Sequence, residues 1–149
     1  MVADNPILIV GGGLGGLTTA LALGRSGRPV RVLEEAPQFG AIGYGIQLGP
    51  NVFPMFERLG VGEAVLRASN LPPAVVMLDA LDGTEVARIP TGEAFRRRFK
   101  YPYVVIHRID LHHVLLDACK TLPNVALEAA TSAVGIEDDG PVCSIRNGY

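Results

Sequence analysis

The fold is decided by Ile7-Leu-Ile-Val10 and Gly11-Gly-Gly-Leu-Gly-Gly16, followed further along by Val30-Arg-Val-Leu-Glu34. Four apolar residues before a glycine-rich turn predict a β-strand, and the apolar periodicity after the turn predicts a helix from about Leu14 to Arg25. A second apolar run then ends on a carboxylate. This order of strand, turn, helix and strand predicts a Rossmann-like α/β unit that binds a dinucleotide.

The glycines have distinct expected roles in such a unit. Gly11 permits a tight turn, Gly13 lets the backbone approach a pyrophosphate, and Gly16 lets the helix pack closely on the strand. The helix N-terminus would present its free N–H groups to the phosphates. Glu34 lies 18 residues after Gly16, near the spacing of about 20 at which a carboxylate accepts hydrogen bonds from ribose hydroxyls.

Composition is typical of a soluble globular α/β protein. The 149 residues are 48% apolar and 19% charged, with a net charge of −2. This balance argues against nucleic acid or an anionic membrane as the main partner. We find neither a basic signal-peptide region nor an apolar run of membrane-spanning length, so we expect a cytoplasmic protein.

Cysteine and histidine spacing does not predict a metal site. Cys119 and Cys143 lie outside any metal-binding motif, and we expect both to be buried, unpaired thiols. We expect His112 and His113 to lie in solvent or to cap a helix.

A second glycine-rich segment, Phe39 to Asn51, is expected to lie against a ligand as a loop. Asn51 is the predicted N-cap of the helix that follows it. Further on, an antiparallel insert over residues 72–103 is predicted from two strand-like runs, Ala74–Leu78 and Glu85–Ile89. Within it we interpret Phe95–Lys100 as a solvated, charged loop.

The segment Tyr103 to His113 predicts a strand that ends at His107-Arg108 and a helix capped by Asp110. The expected buried face of this helix consists of Leu111, Val114, Leu115 and Ala118. Arg108 would lie at the strand–helix junction, where a guanidinium can pair with a ligand phosphate.

Taken together, four segments resemble the N-terminal part of the class A FAD-dependent aromatic hydroxylases. They are Gly11 to Gly16, Leu33-Glu34, Gly43-Tyr-Gly-Ile-Gln-Leu-Gly-Pro-Asn51 and His107-Arg108-x-Asp110-Leu111-His112. The resemblance runs from Ile7 to about Asp139 and is greatest to the members that hydroxylate hydroxybenzoate and salicylate.

The resemblance implies FAD as the bound dinucleotide. It places the segment Gly11 to Gly16, which includes Gly13, Leu14 and Gly15, along the pyrophosphate. Glu34 and Glu35 would hold the adenosine ribose, and the backbone around Thr131-Ser132 would lie near adenine. Arg108 would reach the ribityl-phosphate region, and Gln47 would lie near the isoalloxazine ring. Gln47 replaces a histidine proposed as a base in the hydroxynicotinate branch, which favours a hydroxybenzoate-like substrate.

The family's members are longer than this chain, so the resemblance implies an N-terminal fragment of a two-domain hydroxylase. The insert over 72–103 would lie on the substrate-domain side. Catalytic residues would lie beyond residue 149, and the fragment alone would be inactive. The parent would use NAD(P)H and O2 to hydroxylate a phenolic acid such as 3-hydroxybenzoate. A homodimer is the oligomeric state that we expect.

Residues 35–40 contain no Arg or Lys to read a 2′-phosphate, so we expect NADH to be the preferred electron donor. The alternative is that the distal run Arg96-Arg-Arg98 supplies this charge, if it folds nearby. Two other functions share the glycine fingerprint: an NAD-binding dehydrogenase domain, and an interaction module without catalytic activity. The antiparallel insert argues against the first, and the intact glycines and Glu34 argue against the second.

Overall fold

The computed structural model describes residues 5–40, 43–138 and 143–148. The chain divides into two units, the first formed by Met1–Ile42 and Leu111–Tyr149 and the second by Gly43–Asp110. The second unit contains the predicted insert over 72–103. Its assignment to a substrate domain stays a prediction.

The helices and strands follow one another along the chain in this order: β1 (Ile7–Val10), α1 (Leu14–Arg25), β2 (Val30–Leu33), β3 (Gly45–Leu48), a 3₁₀ turn (Pro50–Val52), α2 (Phe53–Arg58), α3 (Gly62–Arg67), β4 (Ser69–Asn70), β5 (Ala74–Leu78), β6 (Glu85–Pro90), α4 (Glu93–Phe99), β7 (Val104–His107), α5 (Arg108–Lys120), β8 (Val125–Glu128), β9 (Ser132–Asp138) and β10 (Cys143–Gly148).

A parallel sheet in the order β1-β2-β8 forms the centre of the first unit. Val30, Val32 and Leu33 of the middle strand are buried, as expected for a parallel strand covered on both faces. Helix α1 connects β1 to β2 and buries Leu17 and Leu21. The predicted Rossmann-like βαβ unit is therefore confirmed.

Helix α5 differs from the prediction in its start and its buried face. It begins at Arg108, directly after β7, so Asp110 lies in its first turn rather than at its cap. A carboxylate in the first turn is stabilised by the positive end of the helix dipole. The buried residues are Leu111, His112, Leu115, Leu116 and Cys119. The buried face is thus rotated by about one residue from the predicted one.

The second unit contains an antiparallel sheet in the order β3-β7-β4 and the hairpin β5–β6. The hairpin confirms the predicted antiparallel insert. Part of the glycine-rich segment predicted as a loop instead forms β3, which pairs with β7.

Two local predictions in the second unit are wrong. Asn51 does not cap a helix, because a 3₁₀ turn with Pro50 at its first position begins before it. The segment Phe95–Lys100 lies largely in helix α4 rather than in a loop. Glu93 pairs with Arg97 at 3.0 Å across one helical turn, and none of the helix residues is buried.

Candidate functional site

The turn after β1 has the backbone geometry that only glycine adopts readily. Gly11 has φ of +97°, and its N–H donates to the carbonyl of Leu33 at 2.7 Å. This bond ties the turn to the end of β2. Gly13 is the N-cap of α1, no side chain caps this end, and the first turn carries no acidic residue. The first N–H groups of α1 are thus available to an anion.

The glycines around the helix start face two different environments. A Cβ on Gly13 or Gly15 would find no described atom within 4 Å, so both positions border open space. A Cβ on Gly16 would overlap the carbonyl oxygen of Gly11 and would lie 3.4 Å from Cγ2 of Ile9. Gly16 therefore allows the helix–strand approach that the sequence predicted, while Gly13 and Gly15 leave room beside the turn.

The carboxylate of Glu34 holds the turn from the side of β2. Its Oε2 accepts the N–H of Gly12 at 2.6 Å, and its Oε1 accepts the N–H of Ala36 at 2.9 Å. Each oxygen keeps a further lone pair for a ligand hydroxyl. Glu34 therefore organises the site in addition to the ribose contact predicted for it.

A cleft of about 230 Å³ opens at the carboxyl ends of β1 and β2. Crevices at this edge of a doubly wound sheet are the usual ligand sites. The cleft brings together the predicted residues Gly11, Glu34 and Glu35 with the segment Thr131–Ala133. The remaining lining residues are Val10 and Leu33. Leu14 and the other predicted glycines form the turn and helix start that continue from Gly11.

The charge of this cleft favours a neutral hydroxylated group over an anion. Its lining contains the side chains of Glu34 and Glu35 and no Lys or Arg. The N–H of Thr131 donates to the carbonyl of Glu34 at 2.8 Å, which holds the segment before β9 beside the end of β2. A ribose fits the carboxylates, and a pyrophosphate fits the start of α1.

From the sequence alone, Gly12 has no predicted contact of its own within the turn, and His112 is not placed in the site. A Cβ on Gly12 would collide with the ring of Phe39 and would lie 3.1 Å from Oε2 of Glu34. His112 is 0% exposed, and its Nε2 lies 2.8 Å from the carbonyl oxygen of Gly12. The prediction that His112 lies in solvent or caps a helix is therefore wrong, whereas His113 is exposed.

The spacing of His112 contained a usable signal. His112, Leu115, Leu116 and Cys119 recur at helical spacing and form one buried stripe. A prediction that set this stripe one residue further along the helix would have placed His112 inside.

The two remaining predicted site residues, Gln47 and Arg108, belong to the second unit. Gln47 is exposed on β3 and pairs with Val105 in the sheet. Arg108 is exposed, and its N–H donates to the carbonyl of Tyr44 at 3.1 Å. A Cβ on Gly43 would lie 2.9 Å from Cδ of Arg108. The glycine at 43 therefore leaves the space that the Arg108 side chain occupies.

Three other observations concern the described part of the chain. No group of three His, Cys, Asp or Glu side chains there could hold a metal ion. No helix there is both long enough and apolar enough to cross a membrane. Cys119 is a buried free thiol, and its burial raises its pKa to about 11. The side chain of Cys143 lies outside the described residues.

Comparison with known proteins finds similarity to a Rossmann-like domain family and to hydroxylases and monooxygenases. The family profile of the NAD(P)-binding Rossmann-like domain matches residues 9–81. The 3-hydroxybenzoate 6-hydroxylase of Polaromonas naphthalenivorans (strain CJ2) is 53% identical over 137 residues, which are 92% of this chain and 34% of that enzyme. The 6-hydroxynicotinate 3-monooxygenase of Bordetella bronchiseptica (strain ATCC BAA-588 / NCTC 13252 / RB50) is 34% identical, over 94% of this chain and 36% of that enzyme.

A solved structure of the flavin-dependent monooxygenase PieE, in complex with FAD and substrate, has a TM-score of 0.80 and 26% identity to this chain. The match covers 95% of this chain and 26% of that one. The chain spans about a third of the length of the two curated relatives.

Proposed function

Because the chain belongs to the class A flavoprotein aromatic hydroxylase family, we propose that it forms the FAD-binding part of an NAD(P)H-dependent monooxygenase. One observation carries this proposal: the cleft lined by Glu34 and the uncapped start of α1 adjoin each other, because Gly11 lines the cleft and leads into the helix. A dinucleotide needs this pair of environments, since its ribose is a hydroxyl donor and its pyrophosphate is an anion.

The residues present fit the adenosine diphosphate half of FAD. Glu34 and Glu35 would hold the ribose, the backbone around Thr131-Ser132 would face adenine, and Gly13 to Gly16 would border the pyrophosphate. Gln47 and Arg108 would serve the flavin half, as the family resemblance implies. Bound FAD would supply the redox chemistry by which a reduced nicotinamide and O2 hydroxylate an aromatic ring.

We propose a phenolic acid of the 3-hydroxybenzoate type as the substrate. The relative with 53% identity carries that substrate in its name, whereas the relative with 34% identity acts on 6-hydroxynicotinate. Gln47 supports the same choice, because an amide side chain cannot act as the base proposed for histidine at this position.

NADH is the electron donor that we propose. Glu35 is exposed at the start of residues 35–40, a segment without Arg or Lys. A 2′-phosphate there would meet a carboxylate rather than a guanidinium. The predicted cytoplasmic location and homodimer stay predictions, and light scattering would measure the second.

The first test is the identity of the bound ligand. The full-length protein is purified, its visible absorbance spectrum is recorded, and the ligand released on denaturation is identified by mass spectrometry. We expect a flavin spectrum and FAD. Release of a nicotinamide dinucleotide would support the dehydrogenase alternative, and a protein that neither retains nor rebinds a dinucleotide would support an interaction module.

The second test addresses the substrate and the donor. NADH and NADPH consumption is measured with 3-hydroxybenzoate, salicylate and 6-hydroxynicotinate, and hydroxylated products are quantified. We expect the largest kcat/KM with 3-hydroxybenzoate and NADH. A larger kcat/KM with NADPH would refute the interpretation of residues 35–40 without affecting the proposal of FAD.

A further inference from the structure

We infer that His112 is a positioning residue for the dinucleotide pyrophosphate, acting through the Gly12–Gly13 peptide. The inference rests on the proposed function, because it assigns a role in the same dinucleotide site. His112 does not border the cleft itself. Its effect would reach the ligand through the backbone of the turn.

The position of His112 is unusual for a polar side chain. It is fully buried on α5, and its Nε2 lies 2.8 Å from the Gly12 carbonyl oxygen, across 100 residues of sequence. A carbonyl only accepts, so Nε2 is the nitrogen that carries the hydrogen. The other ring nitrogen, Nδ1, is buried and has no hydrogen-bond partner among the described residues. The bond to Gly12 is therefore the polar contact that orients this ring.

Gly12 is held by side chains at both of its peptide groups. Its N–H donates to the carboxylate of Glu34 at 2.6 Å, and its carbonyl accepts from His112. Two elements distant in sequence, the end of β2 and helix α5, thus fix one residue of the turn. Because the backbone of Gly12 is already fixed before the ligand binds, less conformational entropy is lost on binding.

The consequence for the ligand follows from the covalent structure of the turn. The Gly12 carbonyl and the Gly13 N–H belong to the same peptide plane. A hydrogen bond at that carbonyl fixes the direction of the N–H and polarises it as a donor. Gly13 is exposed and borders open space at the start of α1. His112 would therefore aim and strengthen a donor that faces the pyrophosphate.

A histidine that only fills core volume would predict a different outcome, and substitutions separate the two. His112→Leu keeps an apolar filler of similar size and removes the donor. His112→Gln places an amide nitrogen at the same number of bonds from the backbone as Nε2, so it can still donate to Gly12. His113→Leu is the matched control, because His113 is the adjacent histidine and is exposed.

The experiment measures dissociation constants of FAD, ADP and adenosine for the full-length apoprotein. We expect His112→Leu to weaken FAD and ADP binding by about tenfold, the effect of losing roughly one hydrogen bond at the phosphate site. Adenosine binding should change by less than about twofold, because adenosine lacks the pyrophosphate. His112→Gln and His113→Leu should bind all three ligands as the wild type does.

Two results would overturn the inference while leaving the proposed function intact. One is a folded His112→Leu protein with wild-type affinity for FAD and ADP. The other is an equal loss of FAD, ADP and adenosine affinity, which is the pattern of a general structural defect. If the Leu variant does not fold, His112→Asn replaces it. The Asn amide nitrogen lies one bond nearer the backbone than Nε2, so this variant keeps a polar side chain but does not reach the Gly12 carbonyl, and the same results are expected of it. A wild-type protein that binds neither FAD nor ADP would refute the proposed function itself.

Discussion

Replacing Gly16 by Ala should destabilise the fold, although alanine is the better helix former. Gly16 lies inside α1, where the helix crosses the turn after β1. A methyl group there would overlap the carbonyl oxygen of Gly11 and would lie 3.1 Å from its carbonyl carbon and 3.4 Å from Cγ2 of Ile9. Two of these three atoms are backbone, so the helix must move away from the strand to relieve the overlap.

The magnitude follows from two opposing effects. Overpacking of this kind costs typically about 1–3 kcal/mol, and the higher helix propensity of alanine recovers about 1 kcal/mol. The Gly16→Ala protein should therefore lose up to roughly 2 kcal/mol of unfolding free energy. Gly15→Ala is the matched control, because it makes the same substitution one residue earlier, where a Cβ meets open space. That variant should be as stable as the wild type or more stable.

Urea denaturation of the ligand-free protein, followed by circular dichroism, measures both variants. The difference between them is the informative quantity, because it cancels most of the propensity effect. Equal stabilities for Gly15→Ala and Gly16→Ala would refute the assignment of Gly16 to the helix–strand contact.

Three further predictions concern ligand binding, pH dependence and thiol reactivity. Glu34→Ala removes the carboxylate that accepts the Gly12 N–H and, as predicted, the ribose hydroxyls, so the free energy of FAD binding should become less favourable by an amount on the order of 1–3 kcal/mol. Arg108→Ala should weaken FAD binding too. If both variants purify with a full complement of FAD, the placement of the cofactor is wrong. Arg31 and Glu128 form a bidentate pair between β2 and β8, with bonds of 2.7 and 2.8 Å, and this pair lowers the pKa of Glu128 below its usual value. The pair should contribute about 0.5–1 kcal/mol to the unfolding free energy, as is typical of a partly exposed pair. This contribution should be present above about pH 5 and be lost as the pH falls through the lowered folded-state pKa. Thermal unfolding of Glu128→Gln and wild type at neutral and acidic pH measures it, and a stability difference between them that persists in acid would contradict the prediction. Burial raises the pKa of Cys119 to about 11, so alkylation mapped by mass spectrometry at neutral pH should modify this thiol only after denaturation, and rapid labelling of the folded protein would show that it is accessible.

Local signals explain why so much of the first unit could be predicted. The strand β1, the glycine turn, α1 and Glu34 lie within one short span, and hydrophobic period and glycine placement determine its structure directly. The bounds of β1 and α1 match the prediction, and β2 ends one residue before Glu34. Nothing distant had to be known for this part of the site.

Helix phase could not be settled in the same way. Adjacent helical residues differ by about 100° around the axis, so an error of one residue moves a side chain between surface and core. The residues of α5 offer two overlapping apolar stripes, and only packing in the first unit selects the one that contains His112. Asn51 and Phe95–Lys100 were predicted wrongly because the regular structure begins earlier than expected: the 3₁₀ turn begins at Pro50, and α4 begins at Glu93.

The sequence by itself determined that a glycine turn, a helix start and a carboxylate would meet at one edge of the sheet, because these groups are neighbours along one βαβ unit. Only the tertiary structure decided what holds that turn and what completes the cleft. Thr131 to Ala133 and His112 come from about 100 residues further along the chain, and no local periodicity records such an approach. Their places follow from how β8 and α5 pack in the first unit, which is a property of the assembled core.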